Sequence, residues 1–189
     1  SLVRSWFTEL NDRAGAAVVE RFVAAAVTPV VLAREVTGIE DWEGHEDLEI
    51  KAVLGGREIR AKYLKDEGSM ELVLRVPNCY PIKPVNIDAG KRVAVSEAKW
   101  RKWLLAIYAH LTHHQGTLLD AVLLWKGNID AVFEGVEECP ICYSVIHIVN
   151  SSLPKLTCHT CNHKFHSACL YKWFNSSNKS QCPLCQSPW

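Results

Sequence analysis

The stretch "TCHTCNHKFHSACL", residues 157–170, contains three cysteines and three histidines in fourteen positions. Thiolates and imidazoles are the side chains that structural zinc prefers. The 47 residues around it, from Cys139 to Cys185, hold seven of the eight cysteines in the chain. Cysteines clustered in this way, in a sequence that does not open on a secretory signal, indicate metal binding rather than a disulfide framework. The stretch therefore predicts that a metal-dependent module forms this end of the chain.

Four ligand pairs, each with two residues between its members, run through this module. They are Cys139/Cys142, Cys158/Cys161, His166/Cys169 and Cys182/Cys185. Each pair can form a tight knuckle that presents both ligand atoms to one ion, and structural zinc takes four such atoms in a tetrahedron. Four pairs therefore predict two zinc ions.

The histidines leave one alternative ligand set open. That set has acceptable spacing and omits Cys158: Cys161, His163, His166 and Cys169. We favour the pair Cys158/Cys161, because a free thiol beside bound zinc would compete for the ion and thiolate is the stronger ligand. His163 is then expected at the surface.

The charges of the 189-residue chain balance, but they are distributed unevenly. Residues 139–189 contain four lysines and no acidic residue, whereas residues 1–138 carry an excess of four acidic side chains. Zinc binding removes most of this asymmetry, because seven thiolates and two zinc ions bring the tail to about +1. We therefore expect no specific DNA partner.

The residues before the module change periodicity once. Apolar residues recur at helical spacing over residues 1–38, with Pro29 ending or restarting the helix. Residues 46–88 alternate as half-buried strands do, with Gly55-Gly56 as a two-residue turn, and two further helices follow. The predicted class is α+β, with three parts: an N-terminal helical segment (1–38), an α+β domain (39–134) and the zinc domain (135–189).

Neither a secretory signal nor a membrane span is expected. The opening "SLVRSWFTEL" lacks a basic region followed by an apolar core, and no uninterrupted run of about 18 apolar residues occurs. The absence of an initiator methionine suggests that the sequence is part of a longer chain. We expect no membrane partner.

The knuckles "CPIC" (139–142) and "CPLC" (182–185) and the segment "HSACLYKWF" (166–174) resemble the RING family of ubiquitin ligases. The resemblance implies cross-bracing, in which the first and third pairs share one zinc ion and the second and fourth pairs share the other. Plant homeodomain fingers use similar spacing. They usually carry a tryptophan two residues before the seventh ligand, where this chain has Ser180.

The RING resemblance also implies a surface for a ubiquitin-conjugating enzyme. The matching residues are Ile141, Trp173, Pro183 and Leu184. Many RING domains place a cation after the last ligand, where it contacts ubiquitin; here that position is Gln186, which brings no charge. A ligase of this kind has no catalytic residue of its own and acts by holding the loaded conjugating enzyme close to a substrate lysine.

The α+β part, with Tyr80-Pro81-x-x-Pro84, resembles the RWD fold, a relative of ubiquitin-conjugating enzymes. Those enzymes carry an HPN motif and a catalytic cysteine after this turn, and the sequence after Pro84 has neither. We therefore expect Cys79, which precedes the turn, to be an inert and partly buried thiol.

The whole chain resembles a family of RING ligases that mark nascent chains stalled on large ribosomal subunits. The stretches "GKRVAV" (90–95), "FEGVEECPIC" (133–142) and "HSACLYKWFNSSNKSQCPLC" (166–185) carry this match. The resemblance implies a cytosolic protein whose partners are a ubiquitin-conjugating enzyme, ubiquitin and the large ribosomal subunit. The alternative is a non-catalytic zinc finger that reads a peptide or nucleic acid.

Overall fold

A computed structural model of the protein describes residues 2–66, 68–114 and 116–189. In chain order the elements are α1 (Leu2–Glu9), α2 (Arg13–Phe22), α3 (Thr28–Glu40), β1 (Leu48–Val53), β2 (Glu58–Lys65), β3 (Gly68–Arg75), β4 (Asn86–Ala89), α4 (Glu97–His113), α5 (Leu118–Phe133), β5 (Leu156–Thr157), β6 (Lys164–Phe165) and α6 (Ser167–Ser177). The predicted α+β class is confirmed. Below, residues 28–133 are called the sheet domain and residues 139–189 the cysteine module.

Strands β1 to β4 form one antiparallel sheet in sequential order. Their inward side chains alternate with outward ones, so that residues such as Ile59, Leu72 and Leu74 are buried against the helices. Ile107 of α4 and Trp125 of α5 are completely buried in the same core. Two layers, a sheet and the helices packed against it, thus give this domain an extensive apolar core.

The outer face of the sheet is charged. Glu58 of β2 accepts hydrogen bonds from Arg60 beside it and from Arg75 on β3. Arg75 also pairs with Asp88 on β4. The two arginines lower the pKa of Glu58, so it remains ionised within this lattice of alternating charges.

The N-terminal helices pack on the proline-bounded turn that leads to β4. Val23 lies in a small apolar cluster with Cys79 and Ile82 of that turn. The Thr28 hydroxyl donates hydrogen bonds to the carbonyls of Asn78 and Tyr80. Cys79 is only 5% exposed and belongs to this cluster.

A π-helical turn, Val23–Val27, links α2 to α3, so helix continues from Arg13 to Glu40. Pro29 at the start of α3 has no N–H to donate, and the wider turn before it accommodates this loss. By length and composition alone this helix could cross a membrane. Apolar residues outweigh the few charges here without forming an uninterrupted run, and buried core helices can have the same composition, so the absence of a membrane span stays a prediction. In this structure Leu32 and Val36 of the helix pack in the core of the sheet domain.

Candidate metal centre

The first metal cluster joins two separated knuckles of the cysteine module. Its members are Cys139, Cys142, His166 and Cys169, whose ligand atoms all lie within 4.8 Å of one another. His166 and Cys169 come from the start of α6, where His166 is the residue before the first helical turn. The Nδ1 atom of His166 lies 3.4 Å from the Cys142 sulfur and 3.8 Å from the Cys169 sulfur.

The second cluster brings together the other two pairs. Its members are Cys158, Cys161, Cys182 and Cys185, also with all sulfurs within 4.8 Å. The sulfurs of Cys158 and Cys185 are 3.7 Å apart, as are those of Cys161 and Cys182. The first and third pairs therefore share one cluster and the second and fourth pairs share the other, which is the cross-braced arrangement.

The three Cys-x-x-Cys knuckles have the same backbone geometry. The residue after each second cysteine, Tyr143, Asn162 or Gln186, has a φ of 57°, 59° or 58°. Its N–H donates to the carbonyl of the first cysteine, at 2.8, 3.0 and 3.1 Å respectively. This left-handed residue closes a tight loop that turns both sulfurs to one side.

The donor distances fit zinc. A tetrahedral site with Zn–S bonds of about 2.3 Å has sulfur–sulfur edges of about 3.8 Å, and a shorter Zn–N bond gives nitrogen–sulfur edges of about 3.5 Å. Two edges of 3.7 Å in the second cluster and edges of 3.4 and 3.8 Å in the first match these values, and all ligand atoms of each cluster lie within 4.8 Å of one another. Each cluster could therefore hold one zinc ion, as the ligand spacing predicts.

Local hydrogen bonds favour the thiolate forms of Cys158 and Cys185, whereas burial raises the pKa of Cys169 and Cys182. Hydrogen bonds from the side chain and backbone of Ser187 lower the pKa of Cys185 to about 6, and backbone N–H groups of Cys161 and Thr160 lower the pKa of Cys158. Burial lowers the pKa of His166, which favours the neutral imidazole. Thiolate and neutral imidazole are the forms that bind metal.

The structure distinguishes between the two alternative ligand sets that the sequence left open, one with Cys158 and one with His163. Cys158 lies in the second cluster, whereas the side chain of His163 is exposed. His163 contributes backbone groups: its carbonyl accepts the N–H of Cys158 at 3.0 Å, and its N–H faces the Cys161 sulfur. Its position in the knuckle is thus that of a turn residue.

The residues predicted to meet a conjugating enzyme lie on the knuckles and on α6. Ile141 is half-buried against the core of the module, Pro183 is half-buried and Leu184 is 48% exposed. Trp173 of α6 is 38% exposed, and its ring N–H donates to the carbonyl of Gln181, next to the last knuckle. The exposed indole thus lies beside the knuckle that carries Pro183 and Leu184.

Sequence reasoning missed the aromatic packing at the end of the chain. Trp189 contacts Phe165 and Phe174 edge-on, with ring centroids 5.8 Å apart in both pairs. It also missed the contacts between Asp66 of the sheet domain and Val145 of the cysteine module. Neither Asp66 nor Val145 belongs to a sequence motif, so the sequence contains no signal for the contact between them.

Comparison with known proteins supports both domains. Residues 48–132 match the family model "Ubiquitin conjugating domain-like", and residues 137–186 match the family model "Ring finger domain". The second match favours the RING interpretation over the plant homeodomain alternative. The first agrees with the predicted relation of the sheet domain to ubiquitin-conjugating enzymes.

Curated relatives match almost the whole chain. Proteins named E3 ubiquitin-protein ligase listerin are 42% identical in Gallus gallus over 98% of this chain, 42% in Schizosaccharomyces pombe over 99%, and 38% in Drosophila melanogaster over 99%. The matched part is 10 to 12% of the length of those relatives. The chain therefore spans about a tenth of the proteins it resembles, and the resemblance of the whole chain is confirmed.

Proposed function

We propose that this chain, a homologue of the listerins over 98% of its length, acts as the ubiquitin-transferring region of a RING-type ubiquitin ligase. The observation that carries the proposal is the pair of cross-braced clusters, which hold apolar side chains at the surface beside α6. Zinc bound in the clusters would supply structure only, because four protein ligands fill each tetrahedral site.

The apolar knuckle residues would form the docking surface. Ile141 lies between the cysteines of the first knuckle, and Pro183 and Leu184 lie between those of the last. Since both flanking sulfurs face the cluster, the side chains between them are left at or near the surface. Together with Trp173 they offer the kind of aromatic and aliphatic anchor found at the centre of protein interfaces.

The ligase would act without a covalent intermediate of its own. Outside the two clusters, Cys79 is the remaining cysteine, and it is buried between the N-terminal helix and the proline-bounded turn. A thioester there would require this packing to open. Transfer would instead proceed directly from the conjugating enzyme, which the RING surface holds near a substrate lysine. Gln186 would present an uncharged hydrogen-bonding side chain to ubiquitin.

We further propose that the substrates are nascent chains stalled on large ribosomal subunits, and that the protein works in the cytosol. The support is the resemblance over the whole chain to the listerins. Lys91, Lys99 and Lys102 are exposed cations on and before α4 that could face ribosomal RNA, whereas Arg92 and Arg101 lie within ion-pair distance of Glu97.

Ubiquitin transfer to free lysine from a panel of loaded conjugating enzymes tests the ligase proposal. We expect Ile141→Ala and Trp173→Ala each to slow transfer about tenfold or more, since truncating an interface anchor costs upwards of about 1.4 kcal/mol. The matched control is Tyr171→Ala, which removes another exposed aromatic residue from α6. All variants should retain two zinc ions.

Two results would contradict these proposals. The ligase proposal fails for this chain if the zinc-loaded protein discharges ubiquitin from no enzyme of the panel. The ribosomal proposal is tested separately, by cosedimentation with purified large subunits at increasing salt, and it loses its support if the chain stays in the supernatant at low salt.

A further inference from the structure

Val145 connects the sheet domain to the first metal cluster through its two backbone polar groups. Asp66, in the turn between β2 and β3, accepts the backbone N–H of Val145 at 3.0 Å across 79 residues of sequence. Val145 lies three residues after Cys142 and is buried. Its neighbour Ile146 is buried in the core of the sheet domain. The first knuckle of the cysteine module is thus anchored outside the module.

The carbonyl of the buried residue Val145 faces the cluster. It lies 3.1 Å from Nε2 of His166, which is completely buried. A carbonyl oxygen can only accept, so Nε2 must carry the proton and donate it. The lone pair of the imidazole is then on Nδ1, the atom that faces the sulfurs of Cys142 and Cys169. In many metal sites, the histidine nitrogen that does not bind the metal donates a hydrogen bond, and this bond fixes the orientation of the ring.

The turn is shaped to make this contact. Asp66 has a φ of 49°, a left-handed conformation that aspartate, asparagine and glycine tolerate best. A Cβ atom on Gly68 would lie 2.9 Å from Cδ1 of Ile146, so the absence of a side chain there lets the module approach closely. In the other hairpin, a Cβ on Gly55 would meet nothing within 4 Å.

The second cluster has a different support. Its sulfurs interact with one another and with Ser187, all within the cysteine module. Among the described residues, a sheet-domain side chain contacts the backbone of a residue that orients a metal ligand only at the first cluster. The two clusters are therefore expected to respond differently to changes in the sheet domain.

We propose that Asp66 is a positioning residue for the first metal site: it holds the N–H of Val145, and the backbone of Val145 in turn places the carbonyl that orients His166. The sheet domain thereby controls how tightly the neighbouring module holds one of its two zinc ions. This inference concerns metal retention and does not depend on the proposed ligase activity, so either can fail without the other.

The release of zinc to a chromogenic chelator from the full chain tests the inference. Asp66→Gly keeps the left-handed turn and removes the acceptor. We expect it to accelerate the release of one zinc equivalent about tenfold, as the loss of a hydrogen bond to a charged group implies, and to leave the other unchanged. Asp66→Asn retains an acceptor oxygen but not the charge, so its rate of release should lie between those of Asp66→Gly and the unmodified protein.

Arg57→Gly is the matched control, because Arg57 is the left-handed residue of the β1–β2 turn, with a φ of 47°. Cadmium-113 NMR of the substituted protein identifies the site, since three sulfurs and one nitrogen give a different resonance from four sulfurs. A change confined to the Cys₃His resonance supports the proposal. Unchanged release, or equal acceleration of both equivalents, would overturn it, the latter because it indicates a general loss of stability.

Discussion

The sheet domain and the cysteine module are stabilised in different ways. The core of the sheet domain is built from side chains of a sheet and several helices, including Ile107 and Trp125, which are completely buried. The separate core of the module has six buried residues, and four of them are cysteines of the two clusters. Burial of apolar area can stabilise the first domain, whereas the second depends on its metal ions.

Removal of metal is the strongest test of this difference. A structural zinc ion contributes on the order of 10 kcal/mol, more than the apolar core of so small a module can replace. We expect a strong chelator to abolish the dispersed amide NMR signals of residues 139–189. The signals of the sheet domain should persist, apart from those near Asp66 and Gly68, which contact the module.

A chelated protein that keeps dispersed signals from α6 would show that the cysteine module is stable without metal. Simultaneous loss of both domains would instead mean that the shared contact makes them one cooperative unit. Restoring zinc in excess provides the control for irreversible damage.

The converse test removes apolar area from the sheet domain. Ile107→Ala leaves a cavity in the core and should lower the free energy of unfolding by about 2–5 kcal/mol. The matched control, Leu105→Ala, changes a residue of the same helix that is 68% exposed and should have little effect. Urea unfolding followed by tryptophan fluorescence measures both.

If the comparison holds, Ile107→Ala retains two zinc ions per chain under native conditions. A loss of zinc without unfolding of the sheet domain would show that the two domains are not stabilised separately.

A smaller effect is expected from a polar contact in the sheet domain. The Tyr63 hydroxyl of β2 donates to Asp130 of α5 at 2.8 Å, and burial raises the pKa of Tyr63, so the group remains a donor. Tyr63→Phe should lower the free energy of unfolding by about 1 kcal/mol. Asp130 keeps its ion pair with Lys126, so no buried charge is left alone. Urea unfolding measures this change, and the zinc content should stay the same. A smaller loss of unfolding free energy than in Ile107→Ala would show that this polar contact stabilises the domain less than apolar burial does. A larger loss would show the opposite.

The predictable features of the structure are those that depend on residues close together in the sequence. Ligand pairs with two intervening residues predicted the two clusters, and alternation predicted β1 to β3, because both depend on neighbours along the chain. The β1–β2 connection was less predictable: a 3₁₀ turn, Leu54–Gly56, and left-handed Arg57 replace the expected two-residue turn.

Contacts between distant segments could not be predicted. The hydrogen bond from Val145 to Asp66 joins a residue after a knuckle to a residue in a hairpin turn, and each has an ordinary local environment. Helix was predicted over residues 1–38, but its unbroken continuation through Pro29 was not, because the π-helical turn before Pro29 packs against the distant turn at Cys79.

The charged outer face of the sheet affects how copies of the protein associate with one another. Exposed sheets associate through flat apolar faces and unpaired edges, which leads to aggregation. Here Glu49 and Lys51 stand on the outer strand β1, Arg60 and Arg75 bind Glu58, and β4 at the other margin is only four residues long. Stacking two such faces would require the removal of water from several ion pairs at once. The sheet is therefore protected from self-association even in a crowded solution.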